Sequence, residues 1–498
     1  MLNPLKRLAG QTAIYGTSSI IGRLLNYLLV PLYTRVFATQ DYGVVVEMYS
    51  YVAFLLVVLT YGMETAFFRF AEREDQSKGT VFSTTLISVL ATSTLFVILV
   101  FFNSDQLAAL VRYPQNPEYV KWLALIIGLD ALSFIPFAKL RAENRAIRFA
   151  TVKFISIGTN ITLNLFFIVF CPWVINSEYG LLAEFISSFY DPAIGVGYIF
   201  ISNLVASIVT VVLLLPQIVY SNWNLNFTLW GHMIIYALPL LIGGLAGVAN
   251  EALDKLLLKY MLPKDIAMSQ VGIYGACYKI SIMMTIFIQA FRYAAEPFFF
   301  AYAKSKNAKE LYGEIMKYFV IVCLFIFLAI MLFIDIVQHF VGEQYREGLV
   351  VVPILLIANM FLGVYFNLSI WYKLTGRTHF GAIFAITGAL ITVVLNIWWI
   401  PIFGYVGSAW ATLVCYLSMT AISYFTGKKY YPIKYNVPKI LVYMLLGIAV
   451  YLLSIFINEF VVVPYFYINV PLLFAFLAVI VLTDRPLKEF LNQFIVKS

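Results

Sequence analysis

Polar side chains form one stripe along the first apolar part of the chain, in which the segment SSIIGRLLNYLLVPLYTRV begins at Ser18. The members of the stripe follow one another at helical spacing: Thr12, Gly16, Ser19, Arg23 and Asn26. Because the Arg23 guanidinium stays charged at any pH, placing it at the centre of a bilayer costs at least about 2.5–3.5 kcal/mol. We therefore expect this stripe to face protein or a water-filled cavity and not lipid.

Later apolar segments carry polar groups in similar patterns. One segment has four of them on a single helical face: Lys279, Gln289, Arg292 and Glu296. Another has three at intervals of four residues: Ser156, Asn160 and Asn164. Further carboxylates lie within apolar segments at Glu47, Glu64, Asp130 and Asp254. Polar groups in such segments indicate a central cavity between helices.

Three of these groups are cations, and no metal-binding motif accompanies them: Arg23, Lys279 and Arg292. They favour an anionic substrate such as a phosphate or a pyrophosphate, because the planar fork of Arg binds phosphate oxygens and keeps its charge. Four carboxylates are candidates to bind H⁺ or Na⁺, or only to balance charge: Glu47, Glu64, Asp254 and Glu296. The sequence leaves both roles open.

Structural roles are equally open for several of these residues. Arg23 has Glu47 and Glu64 as candidate partners in an ion pair that only fixes helix packing. Arg292 and Glu296 are four residues apart, so they are able to neutralise each other on one helix. Glu64 and Glu296 also lie near the ends of their segments, where a role at the lipid headgroup level is open.

The composition shows that such helices cross a bilayer. Of the 498 residues, 62% are hydrophobic and 12% charged, whereas soluble domains are about 45–50% apolar and about 25% charged. A spanning helix needs about 20 apolar residues. The sequence therefore predicts an all-α polytopic membrane protein with about fourteen transmembrane helices, near residues 11–35, 42–68, 79–102, 119–138, 151–174, 193–218, 231–259, 270–299, 313–335, 348–372, 379–400, 404–426, 437–458 and 464–483.

Lys and Arg are distributed unequally over the segments that connect these helices. With the N-terminus inside the cell, the inner segments hold 23 of them and the outer segments hold 7. The positive-inside rule then predicts that both termini are cytoplasmic. The net charge of +8 reflects this orientation, so no nucleic-acid partner is expected. Lys255 and Lys259 fall at the predicted outer end of the seventh helix, where contact with lipid phosphates is one interpretation.

A shift of 232 residues aligns two parts of the chain, with Tyr42-Gly43 on Tyr274-Gly275 and Glu64 on Glu296. Coincidence is one explanation. A true repeat would make helices 1–6 and 7–12 two parallel six-helix lobes, followed by two extra C-terminal helices. Parallel repeats with a site at their interface are typical of transporters that work by alternating access. The predicted domains are the N-lobe, the C-lobe and the appended helices with a cytoplasmic tail: residues 1–220, 221–427 and 428–498.

Sequence motifs for catalysis are absent, because the chain contains no HExxH, GxSxG, P-loop or GxGxxG pattern. We therefore expect neither enzymatic activity nor a cofactor. Without a soluble ATPase domain, the energy for transport would come from an ion gradient, the membrane potential or the gradient of the substrate itself.

Two segments carry a resemblance to a known family. GRLLNYLLVPLYTRVFATQDYGVVV at 22–46 ends a span with a Pro, a basic residue and an acidic-Tyr-Gly turn. LDKLLLKYMLPKDIAMSQVGIYGACYKI at 253–280 joins an Asp-basic pair to Val-Gly-Ile-Tyr and a Lys. Both segments resemble the signatures of the polysaccharide transporters, the Wzx-type lipid-linked oligosaccharide flippases of the MOP exporter superfamily.

This resemblance implies a protein of the bacterial cell inner membrane that moves undecaprenyl-pyrophosphate-linked oligosaccharide from the inner to the outer leaflet. The product would supply O-antigen, capsule or exopolysaccharide biosynthesis, with glycan polymerase machinery as a partner. Arg23, Lys279 and Arg292 would hold the pyrophosphate, while the polyprenyl tail would stay among the membrane lipids. The sugars would contact three amide side chains: Asn26, Asn160 and Asn164.

Two related functions are alternatives: a multidrug or cation exporter, and a lipid II flippase, both of the same superfamily. The exporters should have a net acidic cavity and usually have twelve spans, so the buried Arg residues and the extra spans argue against them. The lipid II flippases place basic residues of the first span in a cationic cavity, and Arg23 occupies a matching position. A membrane-embedded glycan polymerase is disfavoured because it would be expected to need a large outer loop with basic catalytic residues.

Overall fold

A computed structural model describes residues 16, 18, 20–74, 76–177, 180–219, 223–460 and 464–484. All regular secondary structure in these residues is helical. A bilayer favours this arrangement because a helix satisfies its own backbone N–H and C=O groups without water. Twelve helices in the described part are long and apolar enough to cross a membrane, as a multi-pass membrane protein requires.

The helices are labelled here in chain order. They are α1 (residues 20–27), α2 (Val30–Val36), α3 (Thr39–Thr60), α4 (Met63–Ala71), α5 (Lys78–Phe102), α6 (Ser104–Leu110), α7 (Pro117–Ala142), α8 (Ala146–Leu165), α9 (Cys171–Ile175), α10 (Gly180–Ser187), α11 (Gly197–Val219), α12 (Phe227–Met261), α13 (Lys264–Tyr302), α14 (Ala308–Met331), α15 (Ile334–Val337), α16 (Val352–Leu368), α17 (Ile370–Leu374), α18 (His379–Tyr430), α19 (Val437–Phe460) and α20 (Tyr465–Thr483). Phe166–Phe170 is a π-helical segment between α8 and α9, and Glu343–Val351 is a 3₁₀-helix before α16.

The twelve long helices differ from the predicted fourteen at two places. α18 covers two predicted spans, 379–400 and 404–426, and is interrupted at Gly404, whose φ of 57° and ψ of −140° are not helical. The first predicted span, 11–35, lies partly outside the described residues. The number fourteen therefore stays a prediction.

The second predicted span, 42–68, is divided into α3 and α4. The two residues between these helices, Tyr61 and Gly62, have left-handed φ values of 30° and 74°. Gly62 also has little space for a side chain, because a Cβ there would lie 3.0 Å from the Ala237 carbonyl oxygen of α12. The break sets the direction of α4, which carries Glu64, independently of α3.

The predicted repeat has a structural counterpart in the helix ends and in one hydrogen bond. α7 ends at Ala142 and α17 ends at Leu374, which are 232 positions apart. Asn164 donates to the carbonyl oxygen four residues earlier at 2.7 Å, and Asn396, also 232 positions later, makes the same bond at 2.7 Å. These equivalences in the described residues favour a true repeat over coincidence.

Contacts divide the chain into two compact units. Unit 1 consists of residues 1–276 and 385–408, and unit 2 of residues 277–384 and 409–498. The predicted lobe borders at residues 220 and 427 were placed from the repeat, and they differ from the borders of these two units. The lobes therefore stay a prediction.

Within unit 1, two helices approach each other backbone to backbone. A Cβ on Gly43 of α3 would collide with the Met268 carbonyl oxygen, and a Cβ on Gly272 would collide with the Thr39 carbonyl oxygen. A hydrogen bond of 2.7 Å between the hydroxyls of Thr39 and Ser269 lies beside this contact. Glycine at both positions therefore allows α3 and the start of α13 to pack closely.

Within unit 2, the last two helices are anchored to α14 by packing and by polar groups. The hydroxyl of Ser454 donates to the Asn469 carboxamide at 2.7 Å, which joins α19 to α20. Asp484, at the end of α20, is fully buried and lies 2.8 Å from Lys317 Nζ and 2.7 Å from Lys439 Nζ. This carboxylate therefore links α14, α19 and α20.

Gly43→Ala is expected to destabilise the protein by about 1–3 kcal/mol, because the new methyl group would force α3 and α13 apart. Gly158→Ala is the matched control, since apart from its own helix no atom of the described residues lies within 4 Å of its Cβ position. Thermal unfolding in detergent should show a lower midpoint for Gly43→Ala only. Equal midpoints for the two variants would contradict the close contact.

Candidate functional site

Two residues of the first polar stripe line a cavity in unit 1. Arg23 and Asn26 of α1 line it, while Thr12 and Ser19 of the same stripe lie outside the described residues. The cavity has a volume of about 580 Å³. Ser18 also lines it, and helices α4, α7, α8 and α11 supply further polar side chains: Glu64, Asp130, Ser133, Arg141, Lys153, Ser156, Asn160, Asn203, Ser207 and Thr210.

Among the described residues, three cations and two carboxylates line this cavity. Glu64 of α4 forms an ion pair with Arg141 of α7. Asp130 accepts a hydrogen bond of 2.7 Å from the Ser207 hydroxyl. With all five groups in their usual ionised forms, the lining has an excess of one positive charge.

Aromatic rings hold two of these cations in place. Lys153 Nζ lies 4.3 Å from the centroid of the Phe137 ring, and the Arg141 guanidinium lies 5.1 Å from the centroid of the Phe68 ring. A cation–π contact attracts the charge without neutralising it. Both cations therefore keep the ability to bind an anion.

Amide side chains form a row from the cavity into the protein. Asn160 donates to Asn26 Oδ1 at 3.2 Å, and Asn164 donates to Asn160 Oδ1 at 3.1 Å. The Tyr33 hydroxyl donates to Asn164 Oδ1 at 2.8 Å. Asn164 is fully buried, and both ends of its carboxamide are hydrogen-bonded. It therefore supports Asn160, whereas Asn26 and Asn160 line the cavity themselves.

Arg141 and Lys153 belong to the 23 Lys and Arg that were counted as inner, and neither was predicted to line a cavity. Their spacing contained a signal. Lys153, Ser156 and Asn160 are three and four residues apart, so Lys153 extends the polar stripe of α8 by one turn. For Arg141 the pattern was weaker, because the residues between it and Asp130 on the same face are mostly aromatic.

Glu47 lies elsewhere in unit 1, fully buried. Lys259 of α12 approaches its two carboxylate oxygens at 2.7 and 2.8 Å and also donates to the Val111 carbonyl oxygen at 2.5 Å. Tyr113 donates to Glu47 at 2.5 Å, and burial together with the charge of Glu47 raises the pKa of Tyr113. The interpretation of Lys259 as a lipid-phosphate contact is therefore wrong, since this side chain is 4% exposed and bound to a carboxylate.

Asp254 is satisfied in a similar way between α12 and α13. It is buried and accepts hydrogen bonds from the Tyr274 hydroxyl at 2.6 Å and from Lys255 Nζ at 2.9 Å. Lys255 Nζ also donates to the Glu251 carbonyl oxygen at 2.8 Å. A buried carboxylate is stable only when it is paired and hydrogen-bonded, and Asp254 meets both conditions. The geometry therefore favours charge balance as the role of Asp254.

Unit 2 holds the other predicted cations. Lys279 is partly buried on α13. Arg292 and Glu296 are 3.6 Å apart on the same helix, as their spacing predicts, but a shorter contact of 2.7 Å joins Glu296 to Lys373 of α17. The sequence did not indicate this partner. Since Arg23 belongs to unit 1, the binding of one pyrophosphate by Arg23, Lys279 and Arg292 stays a prediction.

Comparison with known proteins identifies the relatives of this fold. Residues 32–191 match the family model described as a polysaccharide biosynthesis protein. A comparison of the sequence with curated proteins finds no significant match.

Solved structures of membrane transporters have a similar fold. Lipid II flippase MurJ in an inward closed conformation has a TM-score of 0.70 at 14% identity, over 94% of this chain and 98% of that chain. An inward-facing multidrug resistance MATE family transporter of the MOP superfamily has a TM-score of 0.63 at 14% identity, over 84% and 94%. MATE in the straight conformation has a TM-score of 0.60 at 15% identity, over 86% and 96%.

The chain resembles the polysaccharide transporters of the MOP superfamily. At 14–15% identity the structural likeness describes the fold. The substrate of this protein has to be argued from the residues of its own cavity.

Lys259→Met is expected to destabilise the protein by about 3–5 kcal/mol, because it leaves the Glu47 carboxylate buried without its partner. The double variant Glu47→Gln/Lys259→Met removes both charges and should recover most of this loss. Unfolding of the wild type, both single variants and the double variant forms a double-mutant cycle. Additive losses would show that the two side chains are not coupled.

Proposed function

We propose that this protein is a flippase that moves an undecaprenyl-pyrophosphate-linked oligosaccharide from the inner to the outer leaflet by alternating access. The observation that carries the proposal is the cavity in unit 1, whose lining combines an excess of positive charge with amide donors. A diphosphate has several negative charges and many acceptor oxygens, so such a lining is complementary to it.

In this proposal Arg23, Arg141 and Lys153 bind the diphosphate. Without substrate, Glu64 is the ion-pair partner of Arg141. An arriving diphosphate would compete with Glu64 for the guanidinium, so one anion would replace another. Such an exchange avoids leaving a cation unpaired in either state, and it suits a carrier that has to release its substrate after binding it.

The sugars would contact the amide groups of Asn26 and Asn160, with Asn164 as their support. The aromatic walls at Phe134 and Phe137 would contact the less polar faces of the sugar rings. The polyprenyl tail would remain in the lipid. Lys279 and Arg292 of unit 2 are proposed as further ligands of the pyrophosphate.

The cellular setting follows from the same proposal. The protein would lie in the bacterial inner membrane with both termini in the cytoplasm, and its product would pass to glycan polymerase machinery for O-antigen, capsule or exopolysaccharide. It would move its substrate without changing it, and so would not be an enzyme. Of the carboxylates that are candidates for H⁺ or Na⁺ coupling, Glu64 is well placed because it lines the cavity, while Glu47 and Asp254 already have buried lysine partners.

A cation exporter of the MATE type is the second candidate, because two carboxylates line the same cavity. An exporter of organic cations would need those carboxylates available for its substrate. Glu64 is instead paired with Arg141, and cations outnumber carboxylates among the described lining residues. A lipid II flippase would use the same chemistry as the main proposal and would differ only in the sugar and peptide that it accepts.

Reconstitution into vesicles tests the proposed function directly. Exchange between leaflets would be followed for three labelled substrates: a polyprenyl-diphosphate oligosaccharide, lipid II and an organic cation. Each would be measured with and without an H⁺ or Na⁺ gradient. The proposal expects fast exchange of the oligosaccharide lipid. Transport of the organic cation alone would overturn it in favour of the exporter.

Arg23→Ala is expected to lower the rate of this exchange at least tenfold, since it removes a charge-assisted contact of about 1.5–3 kcal/mol. Arg23→Lys should restore the rate only in part, because an ammonium group lacks the planar fork. Arg148→Ala, which removes an exposed Arg outside the cavity lining, is the control. If Arg23→Ala and Arg148→Ala transport equally well, Arg23 does not bind the substrate.

A further inference from the structure

Three charged side chains form a partly exposed cluster in unit 2, which we call the α17 cluster: Arg292, Glu296 and Lys373. The same carboxylate oxygen of Glu296 lies 2.7 Å from Lys373 Nζ and 3.6 Å from an Arg292 nitrogen. The side chains of Arg292, Glu296 and Lys373 are 38%, 40% and 27% exposed. One carboxylate therefore serves two cations, and the α17 cluster has an excess of one positive charge.

The repeat relates the α17 cluster to the cavity in unit 1. A shift of 232 residues places Glu64 on Glu296 and also Arg141 on Lys373. Both pairs form ion pairs, Glu64 with Arg141 and Glu296 with Lys373. The first pair lines the cavity in unit 1. The same carboxylate–cation pair therefore occurs at the equivalent place in unit 2, where Arg292 adds a second cation.

Packing contacts surround the α17 cluster. The Arg292 guanidinium lies 4.1 Å from the centroid of the Phe366 ring, which holds it by a cation–π contact. Phe299 of α13, Tyr312 of α14 and Ile370 of α17 belong to one buried apolar group, so the helices that carry the cluster are packed together. These contacts keep the two cations in position without neutralising them.

The surrounding charges attract anions. Residues 292–317, 373–377 and 428–439, which pack together through the buried apolar group that also contains Ile433, hold eleven Lys and Arg and three Asp and Glu. Of the neighbouring cations, Arg377 lies over the Tyr430 ring, and Lys317 and Lys439 bind Asp484. A concentration of one sign of charge raises the local concentration of its counter-ion.

Stability alone does not explain the α17 cluster. Ion pairs between partly exposed side chains contribute little to stability. Glu296 lies six residues before the end of α13, or about 9 Å along the helix, and Lys373 lies one residue before the end of α17. The α17 cluster is therefore close to the ends of its membrane helices, which are expected to lie near the headgroups of the lipids.

We propose that the α17 cluster binds the phosphate group of a lipid, with Lys373 and Arg292 as ligands and Glu296 as the anion that the phosphate replaces. The inference rests on the proposed function only where it names the physiological ligand, which is the diphosphate of the transported lipid. A bulk phospholipid offers the same chemistry with fewer charges and is the other source. Lys373 thereby gains a role in binding that its position at the end of a span did not indicate.

The test is the binding of a fluorescent polyprenyl diphosphate to the full chain in nanodiscs of phosphatidylcholine. Lys373→Gln should weaken binding about tenfold, the loss of one charge-assisted contact. Glu296→Gln should strengthen binding, because it removes the competing anion and leaves both cations in place. A purely structural ion pair would instead give losses in both variants. Opposite signs support the proposal, whereas equal signs or no change overturn it.

Two further variants control the experiment. Lys373→Arg keeps the charge and should bind as the wild type does. Arg377→Gln removes a neighbouring cation that stacks on Tyr430, and it should also leave binding unchanged. Thermal unfolding of each variant verifies that the half-exposed substitutions leave the fold intact. If Arg377→Gln weakens binding as much as Lys373→Gln does, only the general positive charge matters and the specific site is refuted.

Competition distinguishes the two sources of phosphate. Replacing part of the phosphatidylcholine by phosphatidylglycerol should displace the probe only weakly, because a phosphodiester has fewer charges than a diphosphate. Equal displacement at equal mole fraction would assign the α17 cluster to bulk anionic lipid, which still supports a lipid phosphate as ligand. These measurements need no transport. A wild type that binds with the expected order of variants but flips nothing would therefore refute the proposed function and keep this inference.

Discussion

A charged side chain inside a bilayer has to be paired or hydrated, and this constraint separates the ionisable groups of the protein into two classes. Glu47 and Asp254 are buried and hydrogen-bonded, Glu47 to Lys259 and Tyr113, and Asp254 to Lys255 and Tyr274. Such groups hold helices together. Arg23, Lys153 and the Glu64–Arg141 pair line open space instead. Because a substrate in the cavity would contact them, they are the candidates for binding it.

The one-dimensional pattern of the sequence predicts the helices and the polar face of α1, since hydropathy and spacing are local properties. It also predicts the interruption near Gly404, where Pro and Gly occur together. The sequence pattern does not predict which residue pairs with a buried charge. Glu47 and Lys259 are 212 positions apart, and nothing in the spacing of either residue indicates which helix will lie opposite it. The break at Tyr61 was missed for another reason, because a tyrosine rarely adopts a left-handed conformation and gives no signal of one.

The shift of 232 residues also relates two ion pairs that the matching Tyr-Gly pairs and glutamates did not indicate. Arg141 and Lys373 were assigned to connecting segments because each lies at the end of an apolar run. Only the structure shows that each reaches back to a glutamate on another helix, and that the two glutamates are related by the same shift of 232 positions. An ion pair between a glutamate and a cation of another helix is thus present at both of the positions that this shift relates. In unit 1 this pair lines a cavity, and in unit 2 it is open to the surroundings.

Asp484 has a consequence for how the C-terminal end of the chain tolerates engineering. A reporter protein fused beyond this residue leaves the carboxylate between Lys317 and Lys439, so α19 and α20 keep their anchor. A truncation that removes Asp484 leaves the ammonium groups of Lys317 and Lys439 without the carboxylate between them, and Lys317, which is almost completely shielded from solvent, keeps only Glu314 of the two ion-pair partners Glu314 and Asp484. The last helix then loses its polar link to α14 and α19, although its apolar residues are all intact.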